Sequence, residues 1–587
     1  MDDTLAETGA AANDPRPPVA DVEVRAPEAP RPPSQAAPWT SRLMALLPHG
    51  LVFLVSFLVL SQALSVPRVL TADEVDTMRG GRQLVDLMTA PDHDPRLAWG
   101  DSLRGRLRAA FVPVPDNPRV AALPESAPRR AVVEAPVPRW LAALGVGVLP
   151  VSQDTTNLGR ARVAASLAMA LALAILTWTL RRRGGNRTAE MGLLVAAAFA
   201  LPGFLDAGAA AGHAAASFLT MVLFLAATQR LLNTGRGSIW CGAALGLCLG
   251  VHPLHLALVA VVFIAWAIRR RPDAEAPGLL GTEPGRVRLP SAPLGLFVIP
   301  IVALVVLIII WPSLWADTGK RLGAWIADFG SLRSPPSEVA GLAWDQAAFR
   351  TSQAWTALFQ WTVSTPAPIL VLWGLGLART LREGRDGAWL PIVTLVVILL
   401  AAGLDGGLFG ARLSLVEALW APTLLTAAYG FGALVAWAKT RLMSSRGDGT
   451  PLAARHSSLV SMTPWALGLV FLAVPIIGAA RGTPPAFLGH AGLEARFALP
   501  MALIAHAEEL APGASVHVRP MPAWYRPALD VLRHDLESSL DWGDESAELL
   551  IAFGEPSPDL APRLGEPLGR LDGAGPEATL WRLGPPR

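Results

Sequence analysis

Two adjacent carboxylates, Asp73 and Glu74, stand a few residues beyond the first long apolar run of the chain, in Thr71-Ala-Asp-Glu-Val-Asp76. A carboxylate so placed can take the proton of a hydroxyl as that hydroxyl attacks an electrophilic carbon. The apolar run ends near residue 66, so the pair stands where a bilayer would meet water and opens a long polar segment. Ionisable groups at that boundary are candidates for work on a substrate presented by the lipid. The same two residues also suit a helix cap or a solvated acidic turn. Neighbours on a helix point about 100° apart, so the two acids are not expected to share one proton.

The elements that would position them are membrane helices. Of the 587 residues, 52% are hydrophobic and 16% charged. Apolar runs near twenty residues recur, and only helices or closed barrels satisfy a backbone inside lipid. The chain therefore reads as a polytopic α-helical membrane protein with about eleven transmembrane helices, at roughly 50–67, 160–180, 189–205, 210–230, 237–250, 252–269, 291–312, 355–379, 388–404, 412–437 and 462–480. The fifth and sixth could be one segment broken near His252-Pro253. Residues 1–45, rich in Pro, Ala and acids, read as a disordered tail. They lack the features of a cleaved signal peptide. The formal net charge of +2 suggests no nucleic-acid partner. Cys241 and Cys248, the two cysteines, share one apolar stretch and suit neither a zinc site nor a disulfide framework.

Basic residues set the orientation. Arg181-Arg182-Arg183 and Arg187, Arg230 and Arg236, Arg269-Arg270-Arg271 with Arg286 and Arg288, Arg379 with Arg382 and Arg385, and Lys439 with Arg441, Arg446 and Arg455 fall in alternate connections. With eleven spans these lie on one side, which the positive-inside rule makes cytoplasmic. The N-terminus is then cytoplasmic, and loops 68–159 and 313–354 and the region 481–587 are extracytoplasmic. Within that last region 502–510 reads as helix, and 514–518 and 548–553 as strands, a small α/β module. The membrane domain covers 46–480. The helices carry almost no charge at mid-span and show no inverted repeat, which counts against a transporter.

Several segments, in order, resemble family 39 glycosyltransferases, the protein O-mannosyltransferase-like members of the GT-C superfamily. Thr71-Ala-Asp-Glu-Val is similar to the acidic pair that follows the family's first membrane helix. Glu134-Ala-Pro-Val-Pro-Arg-Trp-Leu-Ala-Ala-Leu-Gly145 corresponds to its Glu-His-Pro-Pro-Leu-x-Lys stretch and the helix after it. Ala161-Arg-Val-Ala-Ala-Ser166 is similar to the start of its second helix. Trp311-Pro-Ser-Leu-Trp-Ala-Asp-Thr-Gly-Lys-Arg-Leu322, Ser364-Thr-Pro and Gly406-Gly-Leu-Phe-Gly-Ala-Arg-Leu413 resemble later segments. The chain departs from the family at three places: Ala135 stands for its His, His213 for an acid near helix four, and His252-Pro-Leu-His255 for a Lys.

The resemblance implies a GT-C-like fold and transfer of a sugar from a polyprenyl-phosphate carrier to a protein, lipid or glycan acceptor on the outer side of a plasma (inner) membrane. No cofactor is expected, and no residue is assigned to a metal. Asp73 is then the expected base, and Glu74 orients it or the acceptor. Arg139, Arg162, Lys320, Arg321 and Arg412, at external helix ends, are candidates for the leaving phosphate, which arginine can grip with two hydrogen bonds. Each also suits headgroup snorkelling. His252 and Trp315 are further substrate-contact candidates. His252 and His255 equally suit a satisfied helix end, and Trp311 and Trp315 an interfacial belt. Asp317 reads as a helix cap. The alternative is a degenerate, non-catalytic relative with a structural or regulatory role.

Overall fold

The computed structural model describes residues 39–64, 72–89, 136–149, 156–181, 187–201, 203–268, 294–311, 365–383, 388–404, 415–444, 501–519, 539–542, 547–553, 559–571 and 578–584, with a few isolated positions between them. Of residues 1–48, one of two compact units, the structure describes the opening turns of the first helix.

Thirteen α-helices precede the C-terminal module among the described residues: α1 Trp39–Leu64, α2 Ala72–Thr89, α3 Pro136–Val148, α4 Asn157–Arg181, α5 Arg187–Ala200, α6 Phe204–Ala209, α7 His213–Thr234, α8 Ser238–Leu249, α9 Leu258–Ile268, α10 Leu294–Ile310, α11 Ala367–Glu383, α12 Trp389–Leu404 and α13 Leu415–Ser444. Among the described residues, three stretches are long and apolar enough to cross a membrane: Asn157–Leu180, His213–Thr234 and Glu417–Ala438. Leu46–Ser61, Glu190–Ala200, Ser238–Leu249, Pro253–Ile268, Leu294–Ile310 and Trp389–Ala402 are apolar but shorter. The stretch 462–480 lies outside the described residues.

Two expectations are corrected. The segment 68–159 is not simply a loop, because it contains α2 and α3. The six charged side chains of α2 lower the hydropathy of any window over it, although one face is buried at Glu74, Val75, Thr77 and Met78, and α3, at 13 residues, is shorter than the ~20 that a membrane span needs. The stretch 189–205 is broken at Gly203, whose φ of 76° sits in the left-handed region open to glycine, and α6 follows. The two helices expected at 237–250 and 252–269 are found as α8 and α9, broken near His252-Pro253. A 3₁₀ turn over Pro253–Ala257 separates α8 from α9, since Pro253 cannot continue the hydrogen-bond ladder.

Small residues let the helices approach. Gly242 and Gly246 of α8 and Gly250, which caps it, recur every fourth residue and face α10. A methyl on Gly246 would lie 2.6 Å from the Ala303 carbonyl oxygen, and one on Gly242 2.7 Å from that of Ile299. Backbone-close packing of this kind holds helices together where lipid supplies no hydrophobic drive. On α11 and α13, Gly376 and Gly430 make a similar crossing against Thr426 and Leu372. Phe204, Phe218 and Trp420 meet at the centre, with ring centroids 5.3–6.1 Å apart. Outward faces of α1, α10 and α12 stay apolar and exposed, including Leu54, Phe297, Ile301 and Leu400, as a lipid-facing surface requires.

The C-terminal module contains α14, Met501–Leu510, and a five-stranded sheet of order β2-β1-β3-β5-β4. Its strands are β1 Ser515–Arg519, β2 Asp541–Trp542, β3 Leu549–Phe553, β4 Leu564–Leu571 and β5 Ala578–Leu583. β1 pairs parallel with β2 and β3, while β5 runs antiparallel to β3 and β4. Leu503, Ile504, Val516, Leu549 and Leu580 belong to one buried cluster that also takes in Val75 and Met78 of α2, Leu158 and Ala161 of α4, and Ala211. The module and the start of α2 thus share a core.

Candidate functional site at one end of the bundle

The site is built from α2 upward. Glu74, in the first turn of α2, is 1% exposed. Its carboxylate accepts Nε–H and Nη2–H of Arg162 at 2.8 and 3.0 Å, and the backbone N–H of Ala211 at 2.9 Å. Arg162 comes from the second turn of α4 and is itself buried at 9%. The planar guanidinium matches both carboxylate oxygens, a geometry that a lysine cannot supply. Three chain segments are therefore pinned together by one acid. Nearby, Ser166 Oγ donates to the Gly208 carbonyl at 2.7 Å, tying α4 to α6.

Glycine sets the approach of α2 to α3. The Arg139 side chain lies across Gly80, where any Cβ would collide with its Cδ and Nε, and a methyl on Gly81 would lie 2.9 Å from Ala142 Cβ. Gly145 similarly lets α3 pass the backbone of Arg160 and Ala161, the former carbonyl being 2.6 Å from where a Cβ would stand. From α3, Val137 N–H donates to the Gly250 carbonyl at 3.1 Å and Trp140 Nε1–H to that of Ile310 at 2.7 Å. So the starts of α2, α3, α4 and α7 and the ends of α8 and α10 gather at one end of the bundle.

His213, His252 and His255 are buried at this end. His252 caps the 3₁₀ turn, its Nδ1 accepting the Leu254 N–H at 2.9 Å. His255 Nδ1 donates to the Cys248 carbonyl at 2.7 Å. The two rings are 5.8 Å apart, edge to face.

No protein-family model matches this chain, and no curated protein sequence does. Among solved structures it is similar to the crystal structure of ArnT from Cupriavidus metallidurans bound to undecaprenyl phosphate, with 13% identity over 94% of this chain and 100% of that one and a TM-score of 0.44. The likeness is loose and decides neither fold nor activity. The resemblance to family 39 glycosyltransferases stands on the ordered motifs alone.

Of the residues singled out by sequence, Glu74, Arg139, Arg162 and His252 come to the same end of the bundle. Asp73 lies beside Glu74 in the first turn of α2. Trp311, at the end of α10, is buried rather than a surface anchor, at 5% exposure. Trp315, Asp317, Lys320, Arg321 and Arg412 lie outside the described residues. The Arg162 guanidinium is engaged by Glu74 and ties α4 to α2. The Ala211 N–H and the Trp140–Ile310 bond had no signature in the sequence, because each joins residues far apart in the chain.

A second buried polar cluster sits where α5, α11 and α13 meet. Arg379 stacks over the Tyr429 ring at 4.3 Å and donates to the Tyr429 carbonyl at 3.2 Å. Glu190, 5% exposed, packs with Arg379 over Gly432. Glu190 opens α5 just after the far end of α4. Along α4, Arg162 and Arg181 are about 28 Å apart at ~1.5 Å per residue, close to the ~30 Å of a hydrocarbon core.

Proposed function

We propose that this chain is an integral-membrane glycosyltransferase that moves a sugar from a polyprenyl-phosphate carrier to an acceptor on the external face. The observation that carries the reading is the Glu74 clamp. It fixes the first turn of α2, and with it the backbone of Asp73, at the bundle end where Arg139, Arg162 and His252 also gather. The arginine-rich connections after α4, α7, α9 and α11 leave from the other helix ends. By the positive-inside rule the Glu74 end faces outward, and the C-terminal module lies with it through their shared core.

In this reading Asp73 takes the proton of an acceptor hydroxyl as that oxygen attacks the anomeric carbon. The bond from that carbon to the carrier phosphate oxygen breaks, and the polyprenyl phosphate leaves with the bonding pair. Cations facing the growing charge lower the barrier; Arg139, Lys320, Arg321 and Arg412 are the proposed contacts. Glu74 and Arg162 position the helix instead.

A second reading, a non-catalytic relative, is favoured by the same clamp. Glu74 and Arg162 satisfy each other, as a purely structural latch would. The two readings separate when purified protein is given polyprenyl-phosphate-linked labelled sugars. Release of polyprenyl phosphate with label on an acceptor supports the enzyme, and an intact donor pool across hexose and pentose carriers rejects it.

A further inference from the structure

We propose that His252 and His255 form a donor–acceptor socket for one hydroxyl group of the transferred sugar, an inference that rests on the glycosyltransferase reading for its ligand class. Both side chains are more than nine-tenths buried, at 3% and 0% exposure. Neither Nε2 has a hydrogen-bond partner among the described residues. Buried polar atoms are almost always satisfied, so two orphaned ring nitrogens in one short turn are unusual.

The local backbone fixes what each nitrogen offers. A backbone N–H can only donate, so His252 Nδ1 accepts from Leu254, and its proton sits on Nε2. A carbonyl can only accept, so His255 Nδ1 donates to Cys248, and its Nε2 carries a bare lone pair. The turn therefore presents one N–H and one lone pair on rings 5.8 Å apart and inclined at 72°.

This polarity selects the ligand. A metal ion would meet the proton of His252. A fully ionised phosphate oxygen would meet the lone pair of His255. A hydroxyl suits both, accepting from His252 and donating to His255. The turn is joined through α3 to the helix of the acidic pair. The Gly250 carbonyl, two residues before His252, holds Val137 of α3, and α3 packs on the Gly80-Gly81 face of α2, the helix that carries Asp73 and Glu74.

Asparagine at each position tests the socket while keeping the local contact. In His252→Asn the amide oxygen can still cap Leu254, and in His255→Asn the amide N–H can still reach Cys248, but each loses its Nε2. The full-length protein in nanodiscs is titrated with octyl hexosides and octyl pentosides, with octanol and octyl phosphate as controls, followed by tryptophan fluorescence. Melting curves establish that each variant folds. The socket predicts that at least one glycoside binds better than octanol and that each substitution weakens it about tenfold or more, since a site built to hydrogen-bond a hydroxyl discriminates strongly. Octyl phosphate binding stays unchanged. Wild-type protein that prefers no glycoside, glycoside binding that survives both substitutions, or an equal loss for octyl phosphate each overturns it. Histidine-dependent glycoside binding by a protein that transfers no sugar would keep the socket and reject the enzyme.

Discussion

Removing Arg162 should be far more damaging than removing it together with Glu74. In Arg162→Met the volume is roughly kept, but the Glu74 carboxylate, 1% exposed, loses the hydrogen bonds of 2.8 and 3.0 Å and keeps the Ala211 N–H. Hydrogen bonds to charged groups contribute about 1.5–3 kcal/mol each, so two amount to roughly 3–6 kcal/mol by the same scale. Breaking a buried pair by removing one partner typically costs about 3–5 kcal/mol, and the two figures agree. The double variant Glu74→Gln with Arg162→Met leaves no buried charge at this point and should recover a large part of that loss, because a neutral replacement of a buried pair is often nearly neutral. Unfolding of purified protein in one detergent, compared across wild type, both singles and the double, gives the coupling directly. A loss below about 1 kcal/mol for Arg162→Met, the range of exposed pairs, would refute the clamp. So would a double variant no better than the worse single.

Two glycine positions give paired predictions about helix packing. Gly246→Ala should lower stability by about 1–3 kcal/mol through overpacking, since the added carbon meets the Ala303 backbone oxygen at 2.6 Å. Gly374→Ala, in the interior of α11 with nothing within 4 Å of its Cβ position, should be neutral or gain roughly 0.5–1 kcal/mol; thermal melts of the two variants in one detergent check the contrast. Gly432→Ala drives a carbon into the Glu190 carboxylate and should likewise cost about 1–3 kcal/mol, read as a lower melting temperature. A melt unchanged in that variant would mean that the α5–α11–α13 cluster yields without cost.

The sequence carried the broad helical plan because long apolar runs and arginine-rich connections report on each helix separately. The strands at Ser515–Arg519 and Leu549–Phe553 were legible within a residue or so from alternation. What stayed hidden depends on partners far along the chain. α2 falls in a stretch read as loop because its charges dilute hydropathy, and α3 because it is only 13 residues long, while their burial comes from packing on each other across Gly80-Gly81. Arg162 read as a hand for phosphate because nothing in its own neighbourhood names Glu74, 88 residues away. His252 and His255 were visible as a pair, but their proton positions follow from Leu254 N–H and the Cys248 carbonyl, which only the fold of the turn supplies.

The proposed function rests on Asp73, next to Glu74 in the first turn of α2, taking the proton of the acceptor. Sugar transfer from a polyprenyl-phosphate donor, measured in membranes holding equal amounts of wild-type protein and of Asp73→Asn, tests it most directly. Loss of a general base typically costs about 10²–10⁴-fold in rate, and a fall of that order, with protein folded and donor still bound, is the predicted result. Equal transfer by both proteins would contradict it.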